Sequence, residues 1–277
     1  MVSMGNVWDR TAEFLSDNLG AILPIALVGI FVPAVISANF SELQQGATPG
    51  LKAALGIGSL LLAIVSFWGQ LAIIALALDP AHGRSAGGVA LRRLPAALLV
   101  TLVILLVGLL ATMPFGVILA LNGVDLSAMS TGTMPTPPAV AAGAMLIYAL
   151  LLIPLALWLF ARLSVTMPAI VGERLALGAL ARSWKLTRGV ALRIVGVIIL
   201  YVVVSIVASS AAQFGIGSIF RLLTGATSGI SIASVLTTII VAAVSTAFTV
   251  LGTAFTAKLF VALLAREGGR HEAVRTQ

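Results

Sequence analysis

Apolar residues run through this chain in six long blocks, and nearly all the charges fall in the short stretches between them. The charge-free stretches cover residues 18–41, 53–78, 94–124, 126–161, 194–220 and 222–257. Each holds an apolar core close to the roughly 20 residues that a helix rising about 1.5 Å per residue needs to cross about 30 Å of hydrocarbon. Strands of a membrane barrel would read instead as alternating segments of about ten residues, and lipid leaves no third way to satisfy the backbone. The pattern predicts an all-α polytopic membrane protein, with spans near 21–38, 54–78, 96–121, 141–167, 194–213 and 232–257. Pro24 and Pro33 fall in the first span, Pro114 in the third and Pro154 in the fourth, where each is expected to bend or end a helix.

Ahead of the first span, Val7, Thr11, Phe14, Leu15 and Leu19 recur at helical spacing while Asp9, Glu13 and Asp17 fall elsewhere. Residues 1–19 are therefore expected to form an amphipathic helix lying on the membrane surface. Gly, Ser, Thr, Met and Pro dominate Asn122 to Pro138, which reads as a loop, and 258–277 reads as a tail. The chain is a single membrane domain on this reading.

Composition agrees, with 60% hydrophobic and 9% charged residues against about 25% charged in an ordinary soluble domain. Alternation of sides along six spans puts fourteen of the sixteen Lys and Arg residues on the side of the termini, leaving only Lys52 and Arg221 on the other. Cytoplasmic loops retain positive charge, so both termini are expected in the cytoplasm of a multi-pass protein of a bacterial cytoplasmic membrane. The net charge of +7 then reports topology and an attraction to anionic headgroups rather than nucleic acid, which would call for a basic soluble module. Asp9, Glu13 and Asp17 beside a single Arg10 make a poor start for a cleaved signal, so the first block is read as a retained helix, with cleavage near Ile36 to Ala38 as the alternative.

Chemistry-bearing residues are few. There is no cysteine, and His82 and His271 both lie outside the spans without the spacing of a metal site. Gly56-Ile57-Gly58-Ser59 lacks the pattern of a nucleophile elbow and is expected to let the second span pack closely on a neighbour. Gln70 suits a hydrogen bond between helices, and Arg162 and Lys258 lie near span ends, where they are expected to snorkel to the headgroups. No catalytic set, metal or cofactor is expected, and an enzyme is the least supported class.

Two patterns stand out. In the sixth span Thr238, Ala242, Ser245, Thr249, Gly252 and Thr256 follow steps of four and three, a small and hydroxylated seam suited to helix packing. Between the fourth and fifth spans, Arg174, Arg182, Lys185 and Arg188 fall within an arc of about 120° on a helix, beside a stripe of Leu177, Leu180 and Trp184. That arrangement predicts an interfacial helix over 173–188 whose cations meet anionic headgroups; a solvated linker that only fixes topology is the plainer alternative.

Ala181-Arg182-Ser183-Trp184-Lys185-Leu186-Thr187-Arg188-Gly189, the weaker Gly87-Gly88-Val89-Ala90-Leu91-Arg92-Arg93-Leu94 and the N-terminal Val7-Trp8-Asp9-Arg10-Thr11-Ala12-Glu13-Phe14 carry a family resemblance. With its six spans, the chain resembles a bacterial inner-membrane family that includes the membrane domain attached to some glycerophosphoryl diester phosphodiesterases. The resemblance implies a stand-alone membrane domain, not the diesterase activity, because the catalytic part of that family is a separate barrel with a His-Arg pair and acidic metal ligands. Gly88-Val89-Ala90-Leu91-Arg92 also echoes Gly189-Val190-Ala191-Leu192-Arg193, either by duplication or because these residues are common here. Two functions follow as expectations. One is a non-catalytic protein that organises or senses lipid, a protein partner or a second copy of itself; the other is a small-molecule or lipid transporter built from a duplicated unit.

Overall fold

Six helices of 22 to 36 residues are long and apolar enough to cross a membrane: Leu19–Phe40, Pro49–Leu78, Ala86–Leu121, Ala139–Gly172, Ala191–Gly215 and Val235–Gly268. The computed structural model describes residues 3–44, 46–124, 136–216 and 232–275. No strand occurs among them, so the all-α polytopic fold stands. Of the expected loop Asn122 to Pro138, residues 125–135, with Asp125, lie outside the described residues, as does Arg221.

The chain begins with α1, Met4–Asp17, and turns at Asn18 into α2, Leu19–Ala26. A π-helical turn, Leu27–Phe31, leads into α3, Val32–Leu43. In that turn the Val32 N–H donates to the Leu27 carbonyl, five residues back. The wider ring lies immediately before Pro33, which brings no N–H to the ladder, so the first span continues instead of breaking. The second and third spans are α4, Pro49–Leu78, and α5, Ala86–Leu121. Asp79 and Pro80 follow the end of α4, and the Asp79 carboxylate accepts the Ala81 N–H at 3.0 Å. The fourth span is α6, Ala139–Leu163, followed by a short helix α7, Thr166–Gly172. Next come α8, Gly178–Leu186, the fifth span α9, Ala191–Ser210, and a last helix α10, Ile232–Arg275.

α4 packs on α5, α5 on α6, α6 on α9, α9 on α10, and α10 back on α4, so five spans form a ring. The first span lies against α4 and α10. α7 is buried through Thr166, Pro168, Ala169, Ile170 and Val171 and touches α4, α5, α8 and α10, filling the end of the ring near the termini. Both termini share that end, because α1 packs along α10 with Trp8 and Phe255 ring centroids 4.7 Å apart. The amphipathic reading of the N-terminal segment thus has a different outcome: Val7, Thr11 and Phe14 are buried against protein rather than facing lipid.

Close packing centres on α4, whose residues from Leu71 to Ala77 are all buried. Apolar burial gains little over lipid, so backbone approach and hydrogen bonds decide where spans meet. The closest approach joins Gly29 and Gly69: a Cβ on Gly29 would lie 2.8 Å from the Gly69 Cα, and one on Gly69 2.9 Å from the Gly29 backbone. Of the pair expected to pack closely, Gly58 lies under Phe40, while a Cβ on Gly56 would meet nothing within 4 Å. Gln70 donates to the Ser66 carbonyl of its own helix at 3.4 Å, not to a neighbouring one. The Lys258 ammonium is engaged by protein: its Nζ donates to the Ala77 carbonyl at 2.8 Å and sits 4.6 Å from the Phe14 ring.

In the sixth-span seam, Ala242 is buried, while Thr238, Ser245, Thr249, Gly252 and Thr256 are half-buried. Thr249 and Thr256 turn their hydroxyls to the carbonyls of Ser245 and Thr253 in their own helix. Gly252 takes the Tyr201 ring of α9, whose hydroxyl donates to the Phe248 carbonyl at 2.7 Å. Away from the termini the ring loosens: Leu105, Leu106, Val107, Gly108, Leu109 and Leu110 of α5 are all exposed, so no side of that helix is covered for more than a turn.

Gly69→Leu is expected to lower thermal stability in detergent by about 1–3 kcal/mol, the usual cost of forcing bulk into a packed contact. Gly56→Ala, with open space at its Cβ, is expected to leave it unchanged or raise it by up to about 1 kcal/mol through helix propensity. Thermal unfolding of both in one detergent checks the pair, and equal effects would remove Gly69 from the packing argument.

Candidate functional site: the arginine-tryptophan junction before the fifth span

The basic segment between the fourth and fifth spans is helical only over Gly178–Leu186, shorter than the expected 173–188. Arg174 breaks it, adopting a left-handed φ of 57° that a non-glycine residue rarely takes. At the other end Gly189, with φ 81°, turns the chain into α9, a conformation that costs glycine little. Ala179, Ser183 and Leu186 form the buried face of α8.

Arg162 ends the fourth span, and the segment closes over it. Its guanidinium carbon lies 5.2 Å from the Trp158 ring centroid and 5.1 Å from that of Trp184, while the two rings meet edge to face at 5.1 Å. Its Nη1 donates to the Trp184 carbonyl at 3.2 Å. Its own carbonyl accepts from the Ser183 hydroxyl at 2.7 Å and the Thr187 hydroxyl at 3.2 Å. The last carbonyls of a helix lack partners within it, and here two hydroxyls four residues apart on α8 serve one of them. The charge of Arg162 is held by two aromatic faces, an arrangement worth about 2 kcal/mol or more when desolvated.

Arg182 makes a second junction. Its Nε donates to the Glu173 carboxylate at 2.8 Å, and its Nη2 reaches the same carboxylate at 2.8 Å. Glu267 of α10 accepts from Nη1 at 3.0 Å and pairs with Nη2 at 2.7 Å. These hydrogen bonds, those of Glu173 first, raise the Arg182 pKa further above its ordinary value and keep the guanidinium charged. With a side chain only 21% exposed and both carboxylates engaged, Arg182 ties α8 to α10 and is not open to a headgroup. Lys185 is different: 71% exposed, it lies 3.5 Å from Glu267.

No match is found among family models, curated proteins or solved structures. The roles at this junction therefore come from its geometry. Of the residues expected to meet headgroups, Arg174, Trp184, Lys185 and Arg188 are exposed, Arg182 is turned inward, and in the apolar stripe Leu177 is exposed and Leu180 half-buried. Sequence reasoning placed Arg162 at a span end with its charge toward the headgroups but gave no role to the Ser183 and Thr187 hydroxyls that serve its carbonyl, though their i,i+4 spacing was the available signal. Among the described residues no group of three His, Cys, Asp or Glu is placed to hold a metal ion.

The echoed pentapeptides differ in backbone, since Gly88 lies inside α5 whereas Gly189 is left-handed. Burial agrees over the last three residues, with Ala90 and Ala191 buried and Leu91, Arg92, Leu192 and Arg193 exposed, while Val89 is half-buried and Val190 buried.

Arg182→Gln is expected to lower stability by about 1–3 kcal/mol, the range for hydrogen bonds to charged groups, because it leaves Glu173 and Glu267 facing each other without their cation. Arg188→Gln, at an exposed position, is expected to stay within about 0.5 kcal/mol. Thermal unfolding in detergent at fixed salt separates the two.

Proposed function

We propose that this chain is a non-catalytic membrane protein of a bacterial cytoplasmic membrane, akin to the phosphodiesterase-linked membrane domains, that engages and organises anionic lipid at its cytoplasmic face. The observation that carries this reading is the sorting of cations around α8. Arg162 and Arg182 are consumed by Trp158, Trp184, Glu173 and Glu267, while Arg174, Lys185 and Arg188 stay exposed beside Leu177, Trp184 and Leu192. Exposed leucine and tryptophan next to exposed cations suit the boundary between acyl chains and phosphates. Each basic residue near an anionic leaflet contributes about 1 kcal/mol.

Transport of a polar solute is less well supported. Gln70 bonds within its own helix, and the loosened part of the ring along α5 is walled by Leu and Val. A polar pathway asks instead for polar or ionisable groups facing a cavity.

In nanodiscs of mixed phosphatidylglycerol and phosphatidylcholine, the full chain is expected to enrich the anionic lipid. Replacing Arg174, Lys185 and Arg188 together by Gln should abolish most of that enrichment, and added salt should weaken it, since screening acts within about 8 Å at physiological ionic strength. Unchanged enrichment in the triple variant would return the segment to a solvated linker. Reporter fusions after Gln277 and within the 127–136 loop are expected on opposite sides of the membrane, the first cytoplasmic; both on one side would sink the topology.

A further inference from the structure

A groove of about 560 Å³ runs between α4 and α5, lined by Ile64, Val65, Trp68, Gly87, Gly88, Leu91 and Leu94. Its size falls within the roughly 300–1,000 Å³ typical of ligand sites. Its walls are fixed rather than incidental. The Trp68 indole N–H donates to the Gly87 carbonyl at 3.0 Å, and a Cβ on Gly87 would lie 3.0 Å from the same ring, so glycine there lets the indole lie against α5. One residue on, a Cβ at Gly88 would meet nothing within 4 Å; that open space is the groove itself.

Arg92 supplies the charge. It stands four residues after Gly88 on α5, so the two are stacked on one helix face. Helical side chains lean toward the N-terminus, over the preceding turn; by this rule the Arg92 stem, though not itself in the lining, follows the groove edge toward the bundle end that carries the termini. The Arg92 side chain is exposed and has no ion pair or hydrogen-bond partner among the described residues. An apolar slot flanked by a free cation at its membrane-surface end matches one chemistry, an acyl chain joined to an anionic headgroup.

We propose that the α4–α5 groove is a phospholipid site: one acyl chain lies along Trp68 over Gly87 and Gly88, and the phosphate meets Arg92. This deepens the lipid-engaging reading but uses a surface separate from Arg174, Lys185 and Arg188, so either can fail without the other.

The test uses the full chain in detergent with phosphatidylglycerol that carries a photoreactive group on its acyl chain, in the presence of excess phosphatidylcholine. Labelling is expected to concentrate on residues 64–68 and 87–94, and labelling spread evenly over the lipid-facing helices would overturn the site. Native mass spectrometry then counts retained lipid. Gly88→Leu puts bulk into the groove from a position whose Cβ has nothing within 4 Å, and Val65→Phe does so from the other wall; both are expected to lose the retained phosphatidylglycerol while unfolding at the wild-type temperature. Arg92→Gln is expected to keep a lipid but lose its preference for phosphatidylglycerol over phosphatidylcholine by about fivefold, the equivalent of about 1 kcal/mol for one basic residue near a headgroup. Wild-type retention in a folded Gly88→Leu or Val65→Phe chain, or no headgroup preference in the unmodified chain, overturns the proposal.

Discussion

A helix that ends inside protein leaves its last carbonyls without donors, and in a water-poor surrounding each orphan is costly. α4 meets this constraint just before it emerges: it is buried from Leu71 to Ala77, ahead of the half-buried Leu78 and the exposed Asp79, and the Ala77 carbonyl takes its donor from Lys258 of α10. A cation at a helix C-terminus is favoured by the helix dipole as well as by the hydrogen bond. Because the Lys258 ammonium also lies over the Phe14 ring, one side chain joins the second span, the last helix and the N-terminal helix. The arrangement of α1 follows from it: an amphipathic helix that packs on α10 covers the cation from above and buries its own Val7, Thr11 and Phe14.

The same requirement explains the most specific stretch of the sequence. Ser183 and Thr187 act on Arg162 through its carbonyl, and Trp184 through its guanidinium. Leu186 is buried beneath α8, Lys185 leans toward Glu267, and Gly189 makes the left-handed turn into the fifth span. Residues 181–189 are thus accounted for as the fastening of one span end, and Arg182 extends the fastening to α10. A lipid-binding role at this junction rests on the residues that the fastening leaves over.

Much of the fold was legible because membrane spans announce themselves by length and absence of charge, independently of any partner. Which side of each helix meets protein was less legible. Gly56 and Gly58 looked alike in sequence, yet only Gly58 touches a neighbour, and the closest backbone contact is made by Gly29 and Gly69. A glycine is needed where two helices cross, and the crossing point depends on tertiary geometry that periodicity does not encode. Basic residues misled for a related reason. Arg182 sits on the same arc as Lys185 and Arg188, but Glu267, 85 residues away, captures it, and Lys258 is captured by a carbonyl 181 residues away. Helical spacing ranks faces, and long-range partners decide which charges stay free.

That division of charges bears on what the protein does. At the end of the bundle that holds the termini, structure consumes Arg162, Arg182 and Lys258, which lie deepest among aromatic rings, carboxylates and carbonyls. Arg92, Arg174, Lys185, Arg188 and Arg193 lie exposed, several of them beside exposed leucines at positions 91, 177 and 192. Holding the fold does not require exposed cations next to exposed leucines, because surface ion pairs add little and leucine gains nothing from water. Such a border is favourable where hydrocarbon meets phosphate, and it recurs at the starts of both α5 and α9, where the echoed Ala-Leu-Arg triplets bury the alanine and present the leucine and arginine. α5 and α9 therefore present the same surface chemistry near their N-terminal ends, despite the different backbone at Gly88 and Gly189, which is the pattern expected if a lipid boundary rather than a shared fold unit governs those residues.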